Sequence, residues 1–343
     1  MLKKLYKSLR NKLSPKLQAN LTKLVFRYSG KPYYKKDNIP LENKFPNREK
    51  GGLIISADFE LAWAFRYSKE FEDPAVAALH KAQIARKNFP VLLGLFKKYN
   101  IPITWATVGH LLLEECKSVT HEWMHRIQHF ENRCWKFSHG DWFDHDPYSN
   151  WKKDPEWYAP DLIKSIVDSQ VEHEIGMHTF SHIDFSDKIC SQQVADDEMK
   201  ACKNVFNGYE PISMAFPAGT WGNREVLQKY GIKIYRRKID NLNLAYPFID
   251  KYGLYVTPTT MIFGRNHRQW TSKYYQSRFI KCIDKAIETG TIAHFWLHPS
   301  VDSWTLINVL PQVLKYAYDR RQDSELWIGT MGNIYRHINQ KGL

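Results

Sequence analysis

The sequence predicts an α/β fold in which a parallel sheet closes, or nearly closes, into a barrel. Short apolar runs alternate with helical stretches seven or eight times between residues 51 and 343. Alternation on this scale is typical of a parallel sheet, and about 290 residues suit a barrel. Apolar residues make up 43% of the 343-residue chain, so the sequence can bury a large core.

The order of strands and helices follows from hydrophobic periodicity. The first strand, residues 52–57, is a continuous apolar run of the kind that is buried on both faces. Further strands are predicted at residues 101–108, 172–177, 212–216, 231–235, 255–257 and 291–295. Helices are predicted at residues 74–98 (interrupted at Pro90), 161–171, 191–206, 273–288 and 305–320, and a strand–helix pair over residues 326–338 ends the order.

Residues 1–50 are predicted to form a basic amphipathic arm and a linker ahead of the barrel at 51–343. The net charge is +13, yet residues 1–36 contain 11 Lys or Arg and no acid, which leaves 38 basic and 36 acidic residues in the rest. Apolar residues at helical spacing among these basic ones predict a helix on an anionic membrane surface. An ordinary packing helix is the alternative, and RNA contact is a weaker third. The near-neutral remainder argues against nucleic-acid binding.

The expected location is the cytoplasm, on the inner face of the membrane. The first residues lack the apolar segment of a signal peptide, and no uncharged run is long enough to span a bilayer. Five cysteines are widely spread and include no Cys-x-x-Cys pair. They are interpreted as reduced structural thiols in a reducing compartment.

The alternation stops over about residues 123–160, where the chain is dense in aromatic and acidic residues. A long irregular insertion is often functional. Aromatic faces beside hydrogen-bonding acids, such as Trp142 and Asp144, suit sugar rings. The alternative is a satellite cluster that only covers one end of the barrel.

Side chains suited to hydrolysis follow three of the predicted strands. Asp58 and Glu60 follow the first strand, at the edge of the sheet where α/β barrels keep their active sites. His178 and His182 stand four residues apart at another strand end. Two imidazoles and a carboxylate suit Zn²⁺ or a similar divalent ion, although such a histidine pair often arises by chance. His298 follows a third strand and suits proton donation near neutral pH.

Two further features have alternatives that the residues alone leave open. His294 rivals His298, which is preferred because it lies nearer the end of its strand. The loop at residues 217–223 contains Pro217, Gly219 and Trp221, which could bring backbone and an aromatic face to a ligand. It could equally be a tight strand-to-helix turn capped by Asn223.

Taken together, these motifs resemble those of the polysaccharide deacetylases, the NodB-homology carbohydrate esterases. The resemblance extends from about residue 51 to the end. The acid pair after the first strand, the His-Thr-Phe-Ser-His stretch at 178–182, the Leu-His pair at 297–298 and the strand at 103–109 match the family pattern. The Arg-x-Pro-x-Gly motif is matched only by Pro217 and Gly219, because Ala215 stands where the arginine belongs.

The resemblance implies a distorted (β/α) barrel of about seven parallel strands and a metal-dependent deacetylase of an N-acetylated amino sugar in a glycan or glycan precursor. It implies that Asp58 is the general base and His298 the general acid. Glu60, His178 and His182 would hold the metal, most simply Zn²⁺. The missing arginine leaves the pairing of Asp58 open. It also motivates two alternatives, a non-catalytic sugar-binding barrel and an amidohydrolase of a small non-carbohydrate substrate.

Overall fold

The computed structural model describes Ser14, Leu17 and residues 33–132, 134–240, 242–264 and 270–342. The predicted amphipathic helix of the arm lies outside the described residues. The strands are β1 (Tyr33–Tyr34), β2 (Gly51–Phe59), β3 (Thr104–Thr107), β4 (Gln128–Glu131), β5 (Lys136–Asp141), β6 (Glu174–Met177), β7 (Ser213–Ala215), β8 (Ile234–Arg237), β9 (Asn243–Leu244), β10 (Phe248–Ile249), β11 (Tyr255–Pro258), β12 (Met261–Phe263), β13 (Ile292–Leu297) and β14 (Leu326–Gly329). The α-helices are α1 (Leu41–Lys44), α2 (Pro74–Lys98), α3 (Pro160–Val167), α4 (Gln192–Val205), α5 (Arg224–Lys229), α6 (Ser272–Thr289), α7 (Ser303–Asn308), α8 (Leu310–Gln322) and α9 (Met331–Lys341).

The main sheet is parallel apart from one short strand at its edge. Its order is β10-β11-β8-β7-β6-β3-β2-β13-β12, and only the β10–β11 pairing is antiparallel. Strand β2 is central: β13 pairs with one edge, while β14 and β3 share the other edge in succession. Within the described residues this sheet has ten strands, more than the sequence predicts, because two-residue and three-residue strands such as β10 and β12 leave no periodic pattern.

The sheet curls into a half-barrel, which confirms the predicted class of fold. His294 in β13 shows the curl, because its two ring nitrogens bond to strands that are far apart in the sheet order. Its Nε2 lies 2.9 Å from the Ser56 hydroxyl in β2, and its Nδ1 lies 3.0 Å from the Thr257 hydroxyl in β11. The C-terminal ends of the parallel strands therefore surround one edge, where chemistry can be assembled.

Close packing against β2 explains the two glycines at its start, because Gly51 faces helix α6 and Gly52 faces the side chains of Phe45 and Ile292. A Cβ atom on Gly51 would lie 2.6 Å from the backbone of Ala286 in α6, so a larger residue would push the helix away from the sheet. The other residues of β2 are buried on both faces. This close contact fixes the position of the strand that ends in the two acids.

Two helix predictions need correction. Helix α2 runs unbroken through Pro90, because buried apolar residues on both sides of it, including Phe89 and Leu92, hold the helix against the core. The helix predicted at residues 305–320 is two helices, α7 and α8, with Pro311 in the first turn of the second. Proline is favoured at that position because its missing N–H would have no helical partner there. Among the described residues, no helix combines the length and the apolar character that a bilayer crossing requires.

Candidate active site

Strand β2 places Asp58 and Glu60 at the C-terminal edge of the sheet. Both are only 4% exposed, so each carboxylate depends on protein partners rather than water. Leu61, which follows directly, has a φ of 43°. A leucine adopts this left-handed conformation at a cost of about 1–3 kcal/mol, and such strain persists only where surrounding structure enforces it. The turn leads the chain away and leaves both acids at the strand end.

The loop after β6 brings His178 and His182 to the same carboxylate. Thr179 and His182 both have a φ of 59°, so two residues of this short loop are left-handed. Their conformations fold the chain back sharply enough that both rings reach Glu60. His178 is fully buried and His182 is 3% exposed.

Helix α4 holds this loop in place through Glu198. One carboxylate oxygen, Oε2, accepts the backbone N–H groups of Phe180 and Ser181 at 2.8 and 2.9 Å, and Oε1 accepts the Ser181 hydroxyl at 2.5 Å. Three donors on one buried carboxylate fix the backbone between the two histidines. No sequence motif pointed to Glu198, because acids within amphipathic helices are usually exposed.

Glu60, His178 and His182 fit a divalent metal ion. Glu60 Oε2 lies 3.1 Å from His178 Nε2 and 3.0 Å from His182 Nε2. His178 Nδ1 lies 2.8 Å from the carbonyl oxygen of Ala215, and a carbonyl only accepts, so this nitrogen carries a proton. When the ring is neutral, Nε2 presents its lone pair to the carboxylate oxygen, and the two repel unless a cation lies between them. This donor set is typical of zinc and similar ions.

Asp58 is paired with an arginine that the sequence motifs did not include. Arg236 in β8 makes a two-pronged ion pair with it, with Nη1 to Oδ1 at 2.5 Å and Nη2 to Oδ2 at 2.7 Å. Burial opposes ionisation of this carboxyl group. The Arg236 guanidinium, together with the nearby His178 and His298, more than offsets that effect and holds the pKa of Asp58 below its usual value. Asp58 is therefore an oriented carboxylate.

The register of the sheet explains how Arg236 reaches this position. Ala215 in β7, where the family motif has its arginine, lies directly opposite Arg236 in the neighbouring strand. Paired residues of adjacent strands face the same side of a sheet. The guanidinium thus comes from one strand further along. The only sequence signal was the pair of arginines at the end of this strand, of which Arg236 is 3% exposed.

His298 completes the cluster from the end of β13. Its Nε2 lies 3.1 Å from Glu60 Oε1 and 3.9 Å from Asp58 Oδ2, and its side chain is 28% exposed. Burial favours the neutral ring, but the carboxylates of Glu60 and Asp58 together outweigh it and raise the pKa of His298. The rival His294 is fully buried and bonded on both ring nitrogens inside the barrel, which leaves it no access to the cleft.

A small cleft opens above these residues, and its walls come from three sources. Trp135 from the insertion lines it and packs edge-on against His182 at 5.4 Å. Gly219 from the loop after β7 lines it as well, together with Lys238 and Trp296. The insertion therefore contributes an aromatic side chain to the cleft, but this side chain is Trp135 and not the predicted Trp142.

The other residues predicted to bind substrate do not line this cleft. Trp142 is 2% exposed, and its indole N–H donates to the Ser181 carbonyl at 2.8 Å, so it supports the histidine loop from below. Asp144 faces a separate hollow beside Tyr67. Pro217 is buried. Trp221 is exposed and packs against the guanidinium groups of Arg224 and Arg237. Composition could not distinguish these aromatic residues from Trp135, because only tertiary packing decides which of them borders the cleft.

Comparison with known proteins shows which family this chain resembles. Residues 77–235 match the family model described as Polysaccharide deacetylase. The match confirms the resemblance to the polysaccharide deacetylases that the sequence motifs indicated. The family's members are hydrolases of amide bonds in acetylated sugars, which confirms the predicted class of enzyme. The matched segment includes His178 and His182, whereas Asp58, Glu60 and His298 lie outside it.

Solved structures confirm the deacetylase fold. One, described as a polysaccharide deacetylase from Mycobacterium smegmatis, is 13% identical with a TM-score of 0.61, covering 87% of this chain and 93% of its own. Another so described, from Pseudomonas aeruginosa PAO1, is 16% identical with a TM-score of 0.60. The Puue allantoinase is 14% identical with a TM-score of 0.60. The last two each cover 90% of this chain and 98% of their own. No protein of curated function matches the chain significantly.

Proposed function

We propose that this protein removes the N-acetyl group from an amino sugar with the help of a bound divalent metal. The observation that carries the proposal is the convergence of Asp58, Glu60, His178, His182 and His298 on one point at the C-terminal edge of the sheet. Glu60 is the shared partner of the three histidines, and Asp58 is paired with Arg236. Together these residues supply a metal-binding set, an oriented carboxylate and a protonatable imidazole.

Glu60, His178 and His182 would hold the metal, and the mixed nitrogen and oxygen donors favour Zn²⁺. A divalent ion there would polarise the acetyl carbonyl and lower the pKa of water. Asp58 takes the proton of the attacking water, since Arg236 keeps that carboxylate ionised and fixes its direction. His298 gives a proton to the departing amine, because its raised pKa keeps a larger share of its rings protonated near neutral pH.

The walls of the cleft favour a sugar. Trp135 and Trp296 line the cleft, and aromatic walls suit the apolar face of a pyranose ring, while Lys238 offers a hydrogen-bond donor for its hydroxyl groups. The substrate we propose is an amino sugar in a glycan precursor for a surface polysaccharide. The basic residues of the arm support action in the cytoplasm, at the inner face of the membrane, on a precursor with a lipid or nucleotide carrier.

Acetate release from N-acetylhexosamines tests the proposal. The full chain, loaded with Zn²⁺, is incubated with the free sugars, their nucleotide-diphosphate forms and short oligosaccharides. We expect acetate from at least one of these. A chelator and His178→Ala should each abolish its release, and added Zn²⁺ should restore only the chelated wild type. His298→Ala should lower kcat by roughly 10²–10⁴-fold, the usual contribution of a general acid.

The matched control is His80→Ala, which removes an exposed histidine on α2 and should leave the rate unchanged. Acetate release that survives both the chelator and His178→Ala would contradict the proposal. The likeness to an allantoinase fold favours one alternative, a hydrolase of a small cyclic amide. Hydrolysis of allantoin without release of acetate from any sugar would support that alternative instead.

A further inference from the structure

A second cluster of potential metal ligands lies behind the histidine loop, where the insertion joins the barrel. His110 follows β3 in a 3₁₀ turn, Cys116 and His121 come from the chain that leads into the insertion, and Asp146 comes from beyond β5. Their exposures are 0%, 3%, 1% and 5%. Four residues from three parts of the chain thus place one nitrogen, sulfur or oxygen atom each at a single buried point.

The spacing of these atoms is that of a tetrahedral metal site. Asp146 Oδ2 lies 3.0 Å from His110 Nε2, 3.3 Å from His121 Nε2 and 3.4 Å from Cys116 Sγ. The two imidazole nitrogens are 3.2 Å apart, and Cys116 Sγ is 3.0 Å from His121 Nε2. Zinc bonds of about 2.0–2.3 Å at tetrahedral angles separate neighbouring ligands by roughly 3.3–3.6 Å. The cluster therefore needs to expand only slightly around an ion.

Hydrogen bonds alone satisfy the polar atoms of this cluster poorly when no metal ion is bound. If both imidazoles donate to Asp146 Oδ2, two N–H groups face each other across 3.2 Å. His110 Nδ1 then becomes an acceptor, yet it is buried and no hydrogen bond reaches it. If either Nε2 is instead unprotonated, its lone pair faces the carboxylate. A single cation at the centre removes the repulsion among the Nε2 atoms and the carboxylate oxygen, because each then points its lone pair at the ion.

The surroundings hold the carboxylate in the orientation of a metal ligand. Asp146 Oδ1 accepts the Tyr148 backbone N–H at 3.0 Å and the Tyr158 hydroxyl at 3.1 Å. Such outer hydrogen bonds typically orient ligating carboxylates. They occupy one oxygen and leave Oδ2 for the point where the other three ligands meet.

Aromatic rings enclose the cluster. Trp63 lies 4.3 Å from the His110 ring, Phe143 stacks on His121 at 4.5 Å, and Phe180 lies within 5.5 Å of both imidazoles. Four protein ligands in a closed apolar shell are the arrangement of a structural zinc site, whereas a catalytic site keeps a position open.

We propose that His110, Cys116, His121 and Asp146 bind a structural zinc ion that fastens the insertion to the barrel. One thiolate and one carboxylate neutralise Zn²⁺, so the filled site buries no net charge. The combination of thiolate and imidazole favours zinc over magnesium or calcium. The assignment replaces the expectation that Cys116 is a plain structural thiol, and it does not depend on the proposed deacetylase activity.

The zinc would also brace the candidate active site. The His110 backbone N–H donates to the Phe180 carbonyl at 2.9 Å, and Phe180 lies between the two histidines of the proposed catalytic set. An ion that fixes His110 therefore fixes the loop that carries His178 and His182. Loss of the zinc should loosen both the insertion and that loop.

Cobalt spectroscopy tests the site in the wild-type full chain. With Co²⁺ in place of zinc, only this cluster offers a thiolate among the described groups of potential ligands. We expect an intense near-ultraviolet thiolate-to-cobalt charge-transfer band together with the visible bands of tetrahedral cobalt. A cobalt-loaded protein without the thiolate band would overturn the proposal, and no variant has to fold for this result.

Metal content separates the two sites. The wild type, purified with zinc, should contain two zinc ions per chain. Cys116→Ala and His178→Ala should each contain one, and only Cys116→Ala should lose the charge-transfer band. Cys282→Ala, which removes a buried cysteine elsewhere, should retain both ions. Zinc content in Cys116→Ala equal to that of the wild type would also overturn the proposal.

Discussion

At the scale of single residues, the candidate active site shows that where a charged group lies in space matters more than its position in the sequence. Arg236 is 178 residues from Asp58 in sequence, yet it makes the ion pair that the family motif implies for residue 215. A buried carboxylate that lost this partner would carry an uncompensated charge. The register between β7 and β8 supplies the substitute.

Returning the arginine from position 236 to position 215 tests this argument. Arg236→Ala should lower kcat/KM by about 10²–10³-fold, because Asp58 loses its orientation and its ionised form is disfavoured. The double variant Ala215→Arg with Arg236→Ala should recover at least a tenfold part of that loss. The readouts are acetate release and its pH profile, in which the acidic limb should shift upward only in the single variant. A double variant no better than Arg236→Ala would contradict the argument.

The site residues also show what the sequence can predict at this scale. Asp58, Glu60, His178, His182 and His298 stand in short local patterns, so their convergence could be predicted. Residues whose role depends on sheet register or on packing, such as Arg236 and Trp135, leave no local pattern. The zinc cluster was missed for the same reason, because its fourth ligand is separated from the other three by the β4–β5 hairpin.

At the scale of elements, the junction of β3 and β6 shows how a half-buried histidine is kept neutral. The His173 ring lies between these strands, and its Nδ1 accepts the Ile103 backbone N–H at 3.2 Å. Phe96 and Trp105 pack against it edge-on at 6.1 Å. A proton on Nδ1 would oppose that N–H. Burial lowers the pKa of His173 from 6.5 to about 4.

This histidine should make stability depend on pH. The folded ring stays neutral while the unfolded ring binds a proton below pH 6.5, so the free energy of unfolding falls as pH decreases. The loss from this group should be about 1–2 kcal/mol at pH 5. His173→Asn retains an acceptor near Nδ1 without titrating. Urea unfolding at pH 7 and at pH 5 measures this difference. Between these two pH values the free energy of unfolding should decrease less for the variant than for the wild type, and the difference should equal the loss that this group causes.

The control for this prediction is His80→Asn, on the exposed face of α2. Its free energy of unfolding should decrease between pH 7 and pH 5 by as much as that of the wild type. Because differences between variants are compared, the other titrating groups cancel. Equal decreases for the wild type and His173→Asn would show that the ring gains its proton without disturbing the strand junction.

At the scale of the whole molecule, the sequence predicts the architecture better than its details. Alternating apolar runs revealed the parallel strands, because strands buried on both faces must be apolar along their length. The aromatic insertion was harder to interpret. Trp142 packs beneath the histidine loop, as expected of a cover, whereas Trp135 borders the cleft, so the proposal that this segment binds substrate depends on Trp135.

The uneven distribution of charge is also a property of the whole molecule and yields the last prediction. Residues 1–36 hold 11 basic and no acidic residues, while the remainder is almost neutral. Each basic residue near an anionic bilayer contributes about 1 kcal/mol to binding. Full-length protein should sediment with phosphatidylserine-containing vesicles, and its binding should weaken with salt, because screening shortens the range of the attraction. Replacing four basic residues of the arm with glutamine should weaken binding roughly 100-fold or more. These are Lys3, Lys4, Lys7 and Arg10.

A matched control removes the same charge from the globular part. It replaces four exposed lysines there with glutamine, namely Lys97, Lys98, Lys152 and Lys153. If the arm is responsible, this control should bind vesicles almost as well as the wild type, because the two proteins share the clustered charge at residues 1–36. An equal loss in both variants would mean that net charge alone drives the association. Binding that survives both replacements would reject an electrostatic contact altogether.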